Sequence, residues 1–171
     1  MEIVNRVAQS ALVTFDLEEY HHPGPRVLLD LRDQLFEGMI LRERDFRAFV
    51  KEHDWTQYAD QNVAVTCTAD AIVPTWAYML VATRLVPYAH LVVFGDLAAL
   101  EDALYRDALA HVNPDDYRGA KVVVKGCSRY EVPPSAYVEI TRRLRPVVAS
   151  LMYGEPCSSV PLYKQPRPKT P

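Results

Sequence analysis

Three short apolar runs separated by helical patterns limit the folds open to this chain most sharply. Asn62-Val-Ala-Val-Thr66, Leu91-Val-Val-Phe94 and Lys121-Val-Val-Val124 are near-continuous and rich in β-branched residues. Such runs suit strands buried on both faces, as in a parallel sheet covered by helices. The segments between them read as helices. One starts near Pro74, because proline suits the first helical turn, and carries Trp76, Met79, Leu80 and Leu85. Another spans Leu97 to Leu109. Repeated strand–helix units with right-handed crossovers give an α/β fold, mainly a parallel sheet of βα units.

The first sixty residues read as a smaller, β-rich portion. Ala11–Leu17 is one strand, and His21-His-Pro-Gly-Pro25 a turn. Arg26–Leu31 and Leu35–Leu41 are expected to form an antiparallel pair. Glu43–His53 places Phe46, Phe49 and Val50 on one helical face. Near the other end, a helix from Ser135 is expected to run to about Met152, with Pro146 kinking or dividing it. No internal repeat and no linker is evident. The expected organisation is a single α/β domain over residues 1–163 and a disordered Pro/Lys-rich tail over residues 164–171.

A chain of 171 residues is long enough for a full-sized core. Apolar residues make up 49% and charged residues 24%, as in ordinary soluble proteins. The net charge of −3 gives no reason to expect nucleic acid as a partner, and the Arg142-Arg-Leu-Arg145 cluster reads as a solvated helix face. No apolar run reaches the roughly 18 residues needed to span a bilayer. Met1-Glu-Ile-Val-Asn-Arg6 lacks the pattern of a signal peptide. The chain is therefore expected in the cytoplasm, with no membrane partner, and is compatible with a homo-oligomer.

In that compartment thiols stay reduced, so Cys67, Cys127 and Cys157 read as buried, metal-binding or reactive rather than disulfide-bonded. Cys67 and Cys127 each end or follow a strand. If those strands are parallel neighbours, both thiols lie at the carboxyl edge of one sheet, where open α/β folds bind ligands. Cys157, in Gly154-Glu-Pro-Cys-Ser158, could return to that edge. Three thiolates and the Asp70 carboxylate would supply four ligands for a tetrahedral ion, and soft sulfur donors select zinc, iron or an iron–sulfur cluster. The bland alternative stands beside this: cysteine packs as a small hydrophobe, Asp70 and Asp96 suit helix caps or turns, and Glu155 suits a solvated loop.

Other chemistries find little support. His21 and His22 are adjacent and point opposite ways in an extended segment, while His53, His90 and His111 stand alone. Ser128, Ser158 and Ser159 have no patterned His/Asp partners. With six glycines and neither G-x-G-x-x-G nor G-x-x-x-x-G-K, a nucleotide-binding function is disfavoured.

Several longer stretches carry a resemblance. Asp33-Gln-Leu-Phe-Glu-Gly-Met-Ile-Leu-Arg-Glu43, Ala69-Asp-Ala-Ile-Val-Pro-Thr-Trp-Ala-Tyr-Met79, Phe94-Gly-Asp96, Lys125-Gly-Cys-Ser128 and Met152-Tyr-Gly-Glu-Pro-Cys-Ser-Ser-Val-Pro-Leu-Tyr163 resemble a bacterial family catalogued only as a domain of unknown function. The likeness extends over nearly the full length, from Met1-Glu-Ile-Val-Asn-Arg-Val7 onward. It implies no established activity. It does imply, by association, a link to iron–sulfur cluster assembly, with assembly proteins as partners. The expected function is thus a metal-binding accessory protein using Cys67, Asp70, Cys127 and Cys157. A thiol enzyme carrying a persulfide or acyl group on Cys127, and a non-catalytic interaction module, are the alternatives.

Overall fold

The computed structural model describes residues 12–126, 128–155 and 157–169. Within them lie seven strands, four α-helices and four short 3₁₀ turns, a mixed α/β fold with largely parallel strands. The chain divides into two compact units. One is discontinuous, Met1–His22 with Tyr105–Pro171; the other, Pro23–Leu104, is inserted into it.

The inserted unit holds β2 (Arg26–Asp30), α1 (Glu43–Glu52), β3 (Asn62–Thr66), α2 (Thr75–Leu85) and β4 (Leu91–Phe94). Its sheet has the order β2-β3-β4, parallel throughout, with Asp30 opposite Thr66 and Val65 opposite Phe94. Val63 and Val65 point into a core with Phe46, Val50, Trp55, Val81 and Leu85 from the helices. Ala64, on the opposite face of the same strand, packs against Leu100 and Leu104 of α3 (Leu97–Ala110). Both faces of β3 are therefore covered, which is why its sequence is apolar without alternation.

The discontinuous unit holds β1 (Leu12–Asp16), the end of α3, β5 (Lys121–Lys125), α4 (Pro134–Leu144), β6 (Ser150–Tyr153) and β7 (Val160–Lys164). The order is β1-β5-β6-β7; the first three are parallel and β7 runs antiparallel to β6. Its core gathers Phe15, Leu17, Tyr105, Leu109, Val122, Val124, Ile140, Leu144 and Leu151.

Four expectations need correction. First, the apolar runs form two sheets, not one: β3 and β5, which precede Cys67 and Cys127, belong to different sheets. Each pairs instead with a strand from the chain's first thirty residues, β3 with β2 and β5 with β1. Second, Arg26–Asp30 pairs parallel with β3, and Leu35–Leu41 is a tight turn held by Phe36–Ile40 and Ile40–Ile72 bridges. Third, the last helix ends at Leu144, ahead of Pro146, and residues 150–153 are a strand. Proline has no N–H to continue the helix and its ring crowds the preceding turn. Fourth, the chain does contain an internal repeat.

Residues 54–96 correspond to residues 113–155 without a gap, at a constant spacing of 59. Identical pairs include Tyr58/Tyr117, Val63/Val122, Val65/Val124, Pro74/Pro133, Ala77/Ala136, Tyr78/Tyr137, Leu85/Leu144, Pro87/Pro146 and Gly95/Gly154. The hydrogen bonds repeat with them. Asp60 N donates to Tyr88 O at 3.0 Å, and Gly119 N to Val147 O at 2.8 Å. Gly95 N donates to Val65 O at 3.0 Å, and Gly154 N to Val124 O at 2.9 Å. The first strands match too: Asp16 and Asp30 each end a strand and each accept, at 3.0 Å, the N–H two residues on, capping a 3₁₀ turn. Each unit is one copy of a strand, 3₁₀ turn, strand, helix, strand module.

Candidate functional site

In both units the carboxyl edge of the parallel strands carries an acid and an aromatic pair. In the inserted unit Asp30 ends β2. Its carboxylate accepts from the Thr68 N–H (3.1 Å) and the Thr68 hydroxyl (2.5 Å), and Arg32 Nη1 donates to the same hydroxyl at 3.3 Å. Burial pushes the Asp30 carboxyl up, but the bonds from Thr68 and Arg32 outweigh it and hold it below the usual range. Tyr78 of α2 meets Phe94 edge to face at 4.9 Å. Its phenol is pushed up by burial, and further by Cys67 and Asp30 nearby.

In the discontinuous unit Asp16 ends β1, and its carboxylate lies 3.4 Å from Lys125 Nζ at the end of β5. The same ammonium lies 3.9 Å from Glu155. Tyr137 and Tyr153 repeat the edge-to-face pair at 5.7 Å. After Lys125 the chain passes through Gly126, where a Cβ would stand 2.6 Å from the Tyr137 hydroxyl and 3.1 Å from Val132. Only glycine fits there without displacing Tyr137. Beyond position 127, the N–H groups of Ser128 and Arg129 (the latter at 3.0 Å) both donate to the buried carboxylate of Glu18. The Ser128 N–H, chiefly, holds the Glu18 carboxyl below its ordinary range against the cost of burial. His21 stacks on Tyr130, ring centres 3.8 Å apart and ring planes nearly parallel.

The expected ligands fall as follows. Cys67 is half-buried and packs against the core of the inserted unit, and Asp70 is exposed three residues on in the same unit. Cys157 is exposed in the turn between β6 and β7, in the discontinuous unit. Cys127 lies outside the described residues. Among the described residues no group of three or more His, Cys, Asp or Glu side chains is placed to hold a metal ion. Asp96 caps α3 by accepting the Ala99 N–H at 2.8 Å. His53 bonds the Tyr58 hydroxyl at 2.8 Å. No described helix is long and apolar enough to cross a membrane.

Sequence reasoning missed Glu18, Asp16 and Lys125. The repeat finds Asp16, because the aligned copies put an acid at each first-strand end, but not Lys125, whose counterpart is Thr66. Glu18 has no such signal, because its counterpart is Arg32.

No curated protein and no solved structure matches this chain. A family model described as a protein of unknown function (DUF2480) matches residues 1–165. The match covers both copies of the repeat and both strand edges, and the chain belongs to that family.

Proposed function

We propose that this protein handles a thiophilic metal species, zinc, iron or an iron–sulfur cluster, through Cys127 and Cys157 of the discontinuous unit. One observation carries the reading. β5 and β6 are parallel neighbours with Val124 opposite Tyr153, so the segments following them leave from one sheet edge. Cys127 comes two residues after β5 and Cys157 four residues after β6. The exposure of Cys157 supports access to an exchanging ion. Thiolates bind zinc, iron and clusters in preference to hard cations. Two thiolates leave coordination positions open, which suits an accessory protein that receives and passes on its metal better than a closed structural site. Glu155, the nearest carboxylate in sequence, is available as a further donor. Cys67 and Asp70 belong to the other unit's edge and are not needed. The family resemblance supports a place beside iron–sulfur assembly.

The test is anaerobic purification without a His tag, followed by elemental analysis, an optical spectrum and titration with cobalt(II). We expect bound metal, or cobalt–thiolate absorption, that Cys127→Ser and Cys157→Ser each abolish and Cys67→Ser retains. Because each thiol must lose its proton to bind, affinity falls as the pH is lowered. Protein that holds no metal and gives no cobalt–thiolate band overturns the reading. The exposure of Cys157 favours a second reading, a thiol that carries a persulfide or acyl group. Rapid alkylation of one cysteine in metal-free protein, the other two inert, distinguishes it.

A further inference from the structure

The two copies of the repeat turn different surfaces outward from the same helix. In and beside α4 the discontinuous unit has Glu131, Ser135, Glu139, Arg142 and Arg145; in and beside α2 the inserted unit has Ile72, Trp76, Leu80, Thr83 and Val86 at those places. The α4 face is charged, and Arg142 donates two N–H groups to Glu139, at 2.7 and 3.1 Å. The α2 face is apolar where it meets solvent. Ile72, three residues ahead of the helix, is 92% exposed, Met79 is 64% and Val86, at the helix end, 66%. Met79, Thr83 and Val86 follow one another at helical spacing on one side. A groove of about 380 Å³ lies there, lined by Met79, Trp76, Leu80 and Thr83 of α2 with Glu43 and Arg47 of α1. The Ile40–Ile72 bridge brings in the turn that carries Phe36, Met39 and Ile40, all exposed. The module does not require such a surface, because its other copy builds the same strands and helix with charge in this place.

Two further observations say what covers it. The exposed apolar side chains present on the order of 700 Å² per copy, above the roughly 300–600 Å² of the largest patch on a typical monomer and close to the about 800 Å² that each partner buries in a standard interface. The surroundings are also neutral. Residues 32–52 carry five Arg or Lys and five Asp or Glu, and residues 69–86 one base and one acid. Glu43 and Arg47 at the groove pair with each other at 3.0 Å. A two-fold interface sets one surface against itself, so a net charge there would repel its own copy. The balance removes that repulsion, and it offers no basic excess to hold an acidic membrane. We propose that the α2 face, from the Phe36–Ile40 turn to Val86, is where two copies of this chain meet. Met79, unbranched and adaptable, fills the groove of the other copy. The inference goes beyond the metal-handling reading and does not depend on it.

The test is sedimentation of the full chain over about 1–100 μM, with wild type expected at twice the chain mass. Ile72→Glu/Thr83→Arg/Val86→Arg grafts the residues of the α4 copy onto positions that are exposed in α2. Each new charge enters a two-fold interface twice, so the dissociation constant is expected to rise at least about a hundredfold. Val138→Glu, at the exposed α4 position that corresponds to Met79, is expected to leave the mass unchanged. A monomeric wild type overturns the inference, and so does a dimer that survives the graft or one that Val138→Glu disrupts. Monomer that binds phosphatidylcholine vesicles through this face assigns it to lipid and overturns the inference too. Should the graft fail to fold, the wild type decides through peroxide oxidation of its methionines. Met39 and Met79 are expected to react about fivefold more slowly as the protein concentration rises, with Met152 unchanged. Rates that ignore concentration overturn the inference.

Discussion

The inserted and discontinuous units are built from one module, and they differ beyond its last strand and along the strand edge. Both bury Val63/Val122 and Val65/Val124 beneath Leu85/Leu144, and both turn through a glycine at positive φ, Gly95 or Gly154, after the last shared strand. Beyond that point the inserted unit continues into α3, whose Leu100 and Leu104 cover the second face of its sheet. The discontinuous unit continues instead into β7, which pairs with β6. At the strand edge Cys67-Thr68 stands against Gly126-Cys127, and Arg32 against Glu18. The comparison teaches that the scaffold residues and the strand-end acid (Asp16/Asp30) are repeated, while the thiols and the charge beside that acid differ between the copies. That is the pattern expected when a duplicated scaffold keeps its packing and changes its loops.

The largest effects should fall on the shared residues. Leu85 and Leu144 are each fully buried at corresponding places. Leu85→Ala and Leu144→Ala should each cost about 3 kcal/mol, the lost burial plus the cavity left behind. Amide exchange should show the loss centred on β3 in the first variant and on β5 in the second. A cost at one site several times that at the other would break the equivalence of the two cores.

A smaller effect should separate the two edges. Gly126→Ala sets a methyl against the Tyr137 hydroxyl and should cost about 2 kcal/mol, as overpacking does. Cys67→Ala changes the same place in the other copy, where a side chain is already housed, and should cost about 1 kcal/mol or less. The Gly126→Ala/Tyr137→Phe double variant should recover part of the first loss, since Phe lacks the oxygen that the new Cβ would meet. A double-mutant cycle from denaturant melts measures it, and additive losses would show that the hydroxyl is not the group that excludes the side chain.

Much of each module can be read in the sequence, and little of the edge can. β3, β4 and β5 are short β-branched runs, and α2 and α3 follow signals that local physics supplies: Pro74 before one, Asp96 capping the other. The strand partners are not local information. β1 pairs with β5 across some hundred residues, and nothing in Lys121–Lys125 indicates that it joins β1 rather than β3. For that reason the sequence alone suggests one edge for Cys67 and Cys127. β6 is hidden because Ser-Leu-Met-Tyr continues a helical apolar spacing, and only Pro146 argues against it. Glu18 is one of two acids in Leu-Glu-Glu-Tyr, and its role depends on amides more than a hundred residues away.

Acid should probe the two edge carboxylates together. Glu18 and Asp30 are both held below their ordinary range in the folded chain. Each therefore contributes stability that is present above the unfolded-state value, near 4, and is lost as the pH falls through the lower folded value. Unfolding stability should decline on acidification below about pH 5. Glu18→Gln and Asp30→Asn should each flatten that decline, Glu18→Gln for amides of the discontinuous unit and Asp30→Asn for those of the inserted one. If both variants flatten the decline in the same unit, the pairing of each acid with its own edge is wrong.

The smallest effect concerns one turn. Asp60 and Gly119 occupy the same place in the repeat, with φ of 59° and 72°, and each N–H donates to the carbonyl at the matching site, Tyr88 or Val147. A side chain in the left-handed region costs roughly 1 kcal/mol against glycine, while glycine costs part of that back through the freedom it has in the unfolded chain. Asp60→Gly should thus be neutral or stabilising by about 0.5 kcal/mol, and Gly119→Ala destabilising by about 1 kcal/mol. No Cβ neighbour stands within 4 Å of Gly119, so the cost there is backbone strain alone. Aspartate tolerates this conformation better than alanine, because its short side chain can bond locally. Gly119→Asp should therefore lose less than Gly119→Ala. If the two losses are equal, the turn at 119 does not share the geometry that lets Asp60 stand at its counterpart.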